Sequence, residues 1–426
     1  MASGCCCKKI ETMILSKENI DKAAENCKGV VLHTPLQFNQ QLSDEFGCNV
    51  YLKREDLQVV RSYKLRGAYN KICSLSADEK QRGVVCASAG NHAQGVAYSC
   101  KKINIKGVIF MPVTTPSQKI NQVKLFGKEN LEVVLVGDTF DDAYKAAHKY
   151  ATEHQSVFVH PFDDEKVMEG QGTVAKEILE DADFKIDVLL APIGGGGLAA
   201  GVSSYFKAQS PETKIIGVEP EGAASMSVSI KNGYNTELTE IDKFVDGAAV
   251  KKVGDRTFEI CKNTLSEVVL VPEGKVCTTI LNLYNQQAIV VEPAGALTVA
   301  SLYFLKDELK GKNVVCIVSG SNNDIMRTEE IRERSLLYEG LKHFFVIRFP
   351  QRAGALKEFV GNVLGPQDDI VHFEYMKKNN RENGPALVGL EIKDPNDLEL
   401  LQSKLKQLGF QYEYLNSNDN LLQFLM

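Results

Sequence analysis

Asp187-Val188-Leu189-Leu190-Ala191-Pro192-Ile193-Gly194-Gly195-Gly196-Gly197-Leu198-Ala199-Ala200-Gly201 is the stretch on which the fold turns. An apolar run feeds directly into four glycines, and a small-residue helix follows. Apolar character that is continuous rather than alternating marks a strand covered on both faces, as in a parallel α/β sheet. The glycines let the backbone bend sharply and bring its N–H groups against an anion, to which the following helix adds its positive end. A phosphate compound is the natural ligand. The same text satisfies G-x-G-x-x-A through Gly194, Gly196 and Ala199, and Glu219 ends the next apolar run. That is where a dinucleotide-binding fold places its ribose-binding acid, so a nicotinamide-dependent oxidoreductase stands as a competing reading.

The pattern repeats outward. Val84–Ala87, Gly107–Met111, Val133–Val136, Val157–Val159, Lys214–Val218 and Val314–Val318 are further short, nearly continuous apolar runs, with helical text between them such as Thr139–Glu153 and Glu169–Glu180. Three runs end in turns: Ser88-Ala89-Gly90-Asn91, Ile193 to Gly197, and Ser319-Gly320-Ser321-Asn322. Ligands of open α/β sheets bind beyond the carboxyl ends of the strands, so three such ends suggest one crevice. Asn323–Glu339 is charged and helical in character and reads as a connector. From Lys342 the order becomes β-α-β-β-α-β, a ferredoxin-like α+β unit with an Asn379–Gly384 turn between its middle strands.

The 426 residues allow two or three domains. A net charge of −6 argues against a nucleic-acid footprint, and 24% charged with 44% hydrophobic residues are ordinary globular values. No apolar run is long enough to span a membrane, and the basic start lacks the apolar core of a secretory signal. Eleven cysteines without paired CxxC motifs suggest a reducing cytoplasm and no structural zinc. Residues 1–16, with Cys5-Cys6-Cys7, read as a disordered tail.

Four segments carry chemistry. In Arg61-Ser62-Tyr63-Lys64-Leu65-Arg66-Gly67 a lysine stands beside arginines, whose charge is expected to lower its pKa toward a Schiff-base nucleophile. Ser62 could be a helix N-cap there. Ser88-Ala89-Gly90-Asn91-His92 offers hydroxyl, amide and backbone donors suited to a carboxylate or a phenolic oxygen, or to plain capping. The glycine turn is the third, and Ser319, facing the same crevice, the fourth. The seven histidines are scattered, and H-E-x-x-H, G-x-S-x-G and Walker A motifs are absent.

In order and spacing these segments resemble the pyridoxal-phosphate enzymes of fold type II (tryptophan synthase beta-like), and in particular the threonine dehydratases. Phe349-Pro350-Gln351-Arg352-Ala353-Gly354-Ala355-Leu356 and Asn380–Pro385 resemble the ACT-like regulatory unit of the biosynthetic members, present once. The resemblance implies a catalytic part over 17–325, a connector over 326–340 and a regulatory unit over 341–426. It implies pyridoxal 5'-phosphate as cofactor, held by Lys64 as Schiff-base lysine, Asn91 on the ring hydroxyl, Gly194, Gly195, Gly196, Gly197 and Leu198 on the phosphate, and Ser319 on the ring nitrogen. Ser62, Ser88, Ala89, Gly90, Asn91 and His92 would hold the substrate. L-threonine as substrate, isoleucine and valine as effectors and a homotetramer follow in the same way, with no nucleic acid and no membrane. Some relatives bind a divalent metal with a carboxylate at Glu219 and another six residues on. Ser225 stands there, so no metal is expected. The alternatives are a serine/threonine dehydratase or serine racemase of the same fold, and a non-catalytic amino-acid sensor.

Overall fold

The structure, a computed structural model, describes residues 14–375 and 382–418. Cys5-Cys6-Cys7 and the Asn379-Asn380-Arg381 part of the expected turn lie outside the described residues. The end of the expected tail is not a tail. Leu15 is buried, its N–H donates to Ser204 Oγ at 3.3 Å, and the Ser16 hydroxyl accepts from Asn19 N at 3.2 Å to cap the helix Lys17–Cys27. An apolar side chain followed by an N-cap is enough to tie this segment down. Asn383 and Gly384, expected in a turn, already belong to a strand.

In chain order the described strands are β1 Leu36–Phe38, β2 Asn49–Arg54, β3 Val84–Ala87, β4 Gly107–Met111, β5 Leu131–Leu135, β6 Val157–Phe158, β7 Val188–Pro192, β8 Lys214–Pro220, β9 Glu267–Val271, β10 Asn313–Val318, β11 Lys342–Pro350, β12 Asp369–Tyr375, β13 Asn383–Glu391 and β14 Gln411–Tyr414. They form two compact units. One comprises the residues up to Glu273 with Asn282–Asp324; the other comprises Gly274–Leu281 with Ile325 onward.

The first unit holds two sheets. In β1-β2-β10-β7-β8-β9 every pair is parallel except the antiparallel β1 and β2. The sheet β5-β4-β3-β6 is parallel throughout. Central strands such as β3, β4 and β7 are buried at every position, which explains their unbroken apolar text. The helices Phe140–His154 and Glu165–Asp181 stand where helical text was expected, the second starting four residues earlier behind the Asp164 cap. Parallel pairing sends β3, β7 and β10 out at the same kind of edge, so the three turns are all at carboxyl ends of strands.

The second unit is the expected β-α-β-β-α-β, with antiparallel order β12-β13-β11-β14 over a core that includes Phe345, Phe359, Val388 and Leu405. The connector helix, Thr328–Tyr338, groups with this unit. Thr278 Oγ1 lies 2.9 Å from Ser335 Oγ and 2.8 Å from Glu339 Oε1, which tie it to Gly274–Leu281.

Candidate active site

Lys64 is the first residue of the helix Lys64–Cys73. The residues before it are zipped to the turn after β10. Tyr63 N donates to Ser319 O at 3.1 Å, Ser321 N donates to Arg61 O at 2.9 Å, and Ser62 and Gly320 form an antiparallel bridge. Arg61 takes a left-handed φ of +59° to make that junction. Two expectations need correction here. Ser62 does not cap the helix: its hydroxyl is buried and has no partner among the described residues. Nor do the arginines tune the lysine. Burial itself pulls Lys64 down to about 8, against an opposing pull from Glu292. Arg66, 1% exposed, is consumed by carboxylates: it reaches Glu55 at 2.7 and 2.8 Å and Glu177 at 2.7 Å from each of two nitrogens. Lys53 joins the same buried network through Glu177 at 2.7 Å. The Lys64 amine donates to Pro161 O at 2.8 Å.

The glycine turn leaves β7 and enters the helix Gly197–Gln209, with Gly196 at φ +90°. Close neighbours leave no room for side chains. A Cβ on Gly194 would lie 2.9 Å from Ala248 Cα, one on Gly195 would overlap the Phe162 ring, and one on Gly196 would lie 2.8 Å from Thr257 Cβ. Thr257 Oγ1 donates to Gly195 O at 2.6 Å and Gly254 N to the same oxygen at 3.3 Å. With the carbonyl turned outward onto Thr257, the first N–H groups of the helix have no partner within it. Such an N-terminus suits an anion.

The Ser88–His92 segment opens the helix Asn91–Ile103 without a side-chain cap. Gly90 N donates to Ser88 Oγ at 3.3 Å, and Ser88 to Asn91 are half-buried. Asn91 Nδ2 donates to Glu292 Oε1 at 2.6 Å, and Asn91 Oδ1 accepts from Asn322 Nδ2 at 2.6 Å. The His92 ring turns into the core. Its Nε2 meets Val159 O at 2.9 Å, and burial lowers it to about 3, so it is neutral. Its Nδ1 is buried without a partner among the described residues. Glu219 accepts from Met226 N and Ser227 N, each at 2.8 Å, and burial raises it to about 8. It anchors the start of the helix Ser225–Asn232, while the Ser225 hydroxyl is buried without a partner among the described residues. A ribose-binding role has no support there.

Several site residues went unread in the sequence. Pro161 contributes a carbonyl, Phe162 a ring against the glycines, and Asp163 accepts from Asp255 N, Arg256 N and Thr257 N at 3.1, 3.0 and 3.2 Å, holding Thr257 in place. Glu292 and Asn322 frame Asn91. Four features match what pyridoxal phosphate needs: a lowered lysine amine, a cradle that side chains would fill, the orphaned Ser62 hydroxyl, and a half-buried amide. The residues present therefore fit that cofactor.

Residues 28–320 match the family described as pyridoxal-phosphate dependent enzyme, and residues 333–425 match the C-terminal regulatory domain of threonine dehydratase. The chain belongs to the pyridoxal-phosphate-dependent enzymes. Within that class it is 60% identical over 409 residues to the biosynthetic L-threonine dehydratase IlvA of Halalkalibacterium halodurans, a match covering 96% of this chain and 99% of that one. Among solved structures, the processed form of threonine deaminase isoform 2 from Solanum lycopersicum matches at 39% identity and a TM-score of 0.71, over 76% of this chain and 96% of that one. Serine racemase from Dictyostelium discoideum matches at 31% identity and a TM-score of 0.68, over 73% of this chain and 99% of that one.

Proposed function

We propose that this chain is an L-threonine ammonia-lyase. It removes water from L-threonine to give, after hydrolysis of the released enamine, 2-oxobutanoate and ammonia as the first step of isoleucine synthesis. The observation that supports the reading is one chain of contacts: the segment before Lys64 is zipped to Ser319 and Ser321, Asn322 bonds Asn91, and the Lys64 amine reaches Pro161 O, next to the Phe162 ring that packs on the glycine turn. The full-length likeness to a biosynthetic dehydratase supports threonine over serine.

Bound pyridoxal phosphate supplies the sink for the electrons of the broken Cα–H bond. Lys64 would hold the cofactor, and its low pKa keeps a usable fraction of neutral amine near neutral pH. The backbone donors from Ser88 to His92 and the helix start behind them hold the substrate carboxylate, with Ser62 and Ser88 offering hydroxyls. That grip sets the Cα–H bond toward the freed Lys64 amine, which takes the proton as general base. Gly194 to Leu198 would hold the phosphate through backbone N–H groups. Ser319, a neutral hydroxyl, would meet the ring nitrogen without fixing a proton there as a carboxylate would, which would favour rapid elimination.

The second unit is regulatory, with isoleucine as inhibitor and valine as antagonist. The described cysteines are all free, and most are buried, which supports a reducing cytoplasm. No described helix is long and apolar enough to cross a membrane. A homotetramer is the expected assembly. The test is steady-state release of oxo acid from L-threonine and L-serine, with and without isoleucine. Threonine should be favoured and isoleucine inhibitory; equal or greater serine turnover, or D-serine as product, overturns the assignment in favour of a serine enzyme.

A further inference from the structure

We propose that Glu292 is a positioning residue that fixes which way the Asn91 amide faces, so that Asn91 offers an N–H rather than a carbonyl oxygen to the cofactor's ring hydroxyl. The inference rests on the cofactor reading above.

A relay of hydrogen bonds leads to it. Asn322 Nδ2 donates to Val60 O at 2.9 Å, and a backbone carbonyl can only accept. The same Nδ2 donates to Asn91 Oδ1 at 2.6 Å, and Asn91 Nδ2 then donates to Glu292 Oε1 at 2.6 Å. An acceptor stands at each end, so every amide between has one allowed orientation. Turning Asn91 over would set two N–H groups against each other at Asn322 and two oxygens against each other at Glu292. In the allowed orientation one Nδ2 hydrogen is spent on Glu292, and the second has no protein partner among the described residues.

Glu292 is held as a positioning group should be. It is 5% exposed, it precedes the helix Pro293–Leu309, and its N–H donates to Gly320 O at 3.1 Å, in the turn that carries Ser319. A Cβ on Gly320 would lie 2.6 Å from Glu292 Oε1, so this glycine makes room for the carboxylate. Burial raises Glu292 to about 7, with Asp246 pushing the same way and the Asn91 donor pulling back. Its Oε1 accepts from Asn91 whether or not the other oxygen carries a proton.

The test titrates apo-protein with pyridoxal 5'-phosphate and reads the dissociation constant from the visible band, in wild type, Glu292→Gln, Glu292→Leu, Asn91→Ala and the double variant Asn91→Ala/Glu292→Leu. Leucine strands the Asn91 donor and leaves Asn322 alone to hold the amide, so affinity should fall about tenfold or more. Glutamine keeps an acceptor oxygen and should stay within about threefold of wild type. In the Asn91→Ala background the leucine change should have no further effect, because a residue acting through Asn91 cannot act without it. Equal losses in both backgrounds, or a glutamine variant as weak as leucine, would overturn the proposal. Should Glu292→Leu fail to fold, Asn322→Ala cuts the other end of the relay and must show the same dependence on Asn91. Wild-type protein that does not bind pyridoxal phosphate would instead sink the cofactor reading itself.

Discussion

Replacing Arg66 by leucine tests how the lysine helix is held. Arg66 sits two residues after Lys64 on the first turn of its helix and is 1% exposed. Its loss strands Glu55, which is 0% exposed and otherwise meets, among the described residues, Thr34 Oγ1 at 2.5 Å and Gln58 Nε2 at a long 3.4 Å. Glu177 is less affected, because Lys53 remains at 2.7 Å. One uncompensated buried carboxylate therefore sets the scale, and breaking a buried pair from one side costs about 3–5 kcal/mol. With a denaturant slope of roughly 3 kcal/mol per molar urea, the midpoint of the apo-protein should fall by about 1 M or more. The chain has no tryptophan, so circular dichroism is the suitable probe. Adding Glu55→Gln removes the stranded charge, and the double variant should be less destabilised than the sum of the singles. A loss below about 1 kcal/mol, or strict additivity, would refute the view that this network anchors the Lys64 helix.

Further outcomes follow from the burial of Lys64 and from the left-handed glycines. Between about 8 and the ordinary lysine value of 10.5, folded Lys64 is neutral while the unfolded chain still holds that proton, so its contribution to apo stability rises with pH across this window and its full penalty is present below about 8. Uptake of pyridoxal phosphate, followed by stopped-flow absorbance, should climb with pH and level off above about 8; a rate still climbing toward 10.5 would contradict the lowered pKa. Gly196→Ala forces a side chain onto φ +90° beside Thr257, for a loss of about 2–5 kcal/mol in urea unfolding together with weaker cofactor binding. Gly233→Ala, at φ +81° with open space around it, should lose about 1–2 kcal/mol and leave the cofactor affinity unchanged.

Much of the fold is legible because buried parallel strands leave unbroken apolar text, and β3, β4, β7, β8 and β10 all read that way. β2 does not: Lys53 and Arg54 look like surface residues, yet both are buried, and the partners that neutralise them include Glu177, more than a hundred residues away in sequence. The same blindness produced the error about Lys64. Adjacent arginines in sequence suggest a shared field, whereas Arg66 faces its own carboxylates and burial does the tuning. Of the candidate site, Lys64, Asn91, the glycine turn and Ser319 are visible because each sits in a turn at a strand end or, for Lys64, beside one. Pro161 acts through a backbone carbonyl and Phe162 through packing, neither of which leaves a local signal. Glu292 did leave one, an acid with proline immediately before a strongly apolar helix, but its partner Asn91 lies 201 residues away.

The account stands on covalent attachment of the cofactor to one side chain. Purified protein loaded with pyridoxal phosphate should be yellow, lose that colour on borohydride treatment, and after proteolysis carry the reduced pyridoxyl mass on Lys64. A protein that takes up the cofactor yet yields an unmodified Lys64 peptide, or one labelled at another lysine, would contradict it.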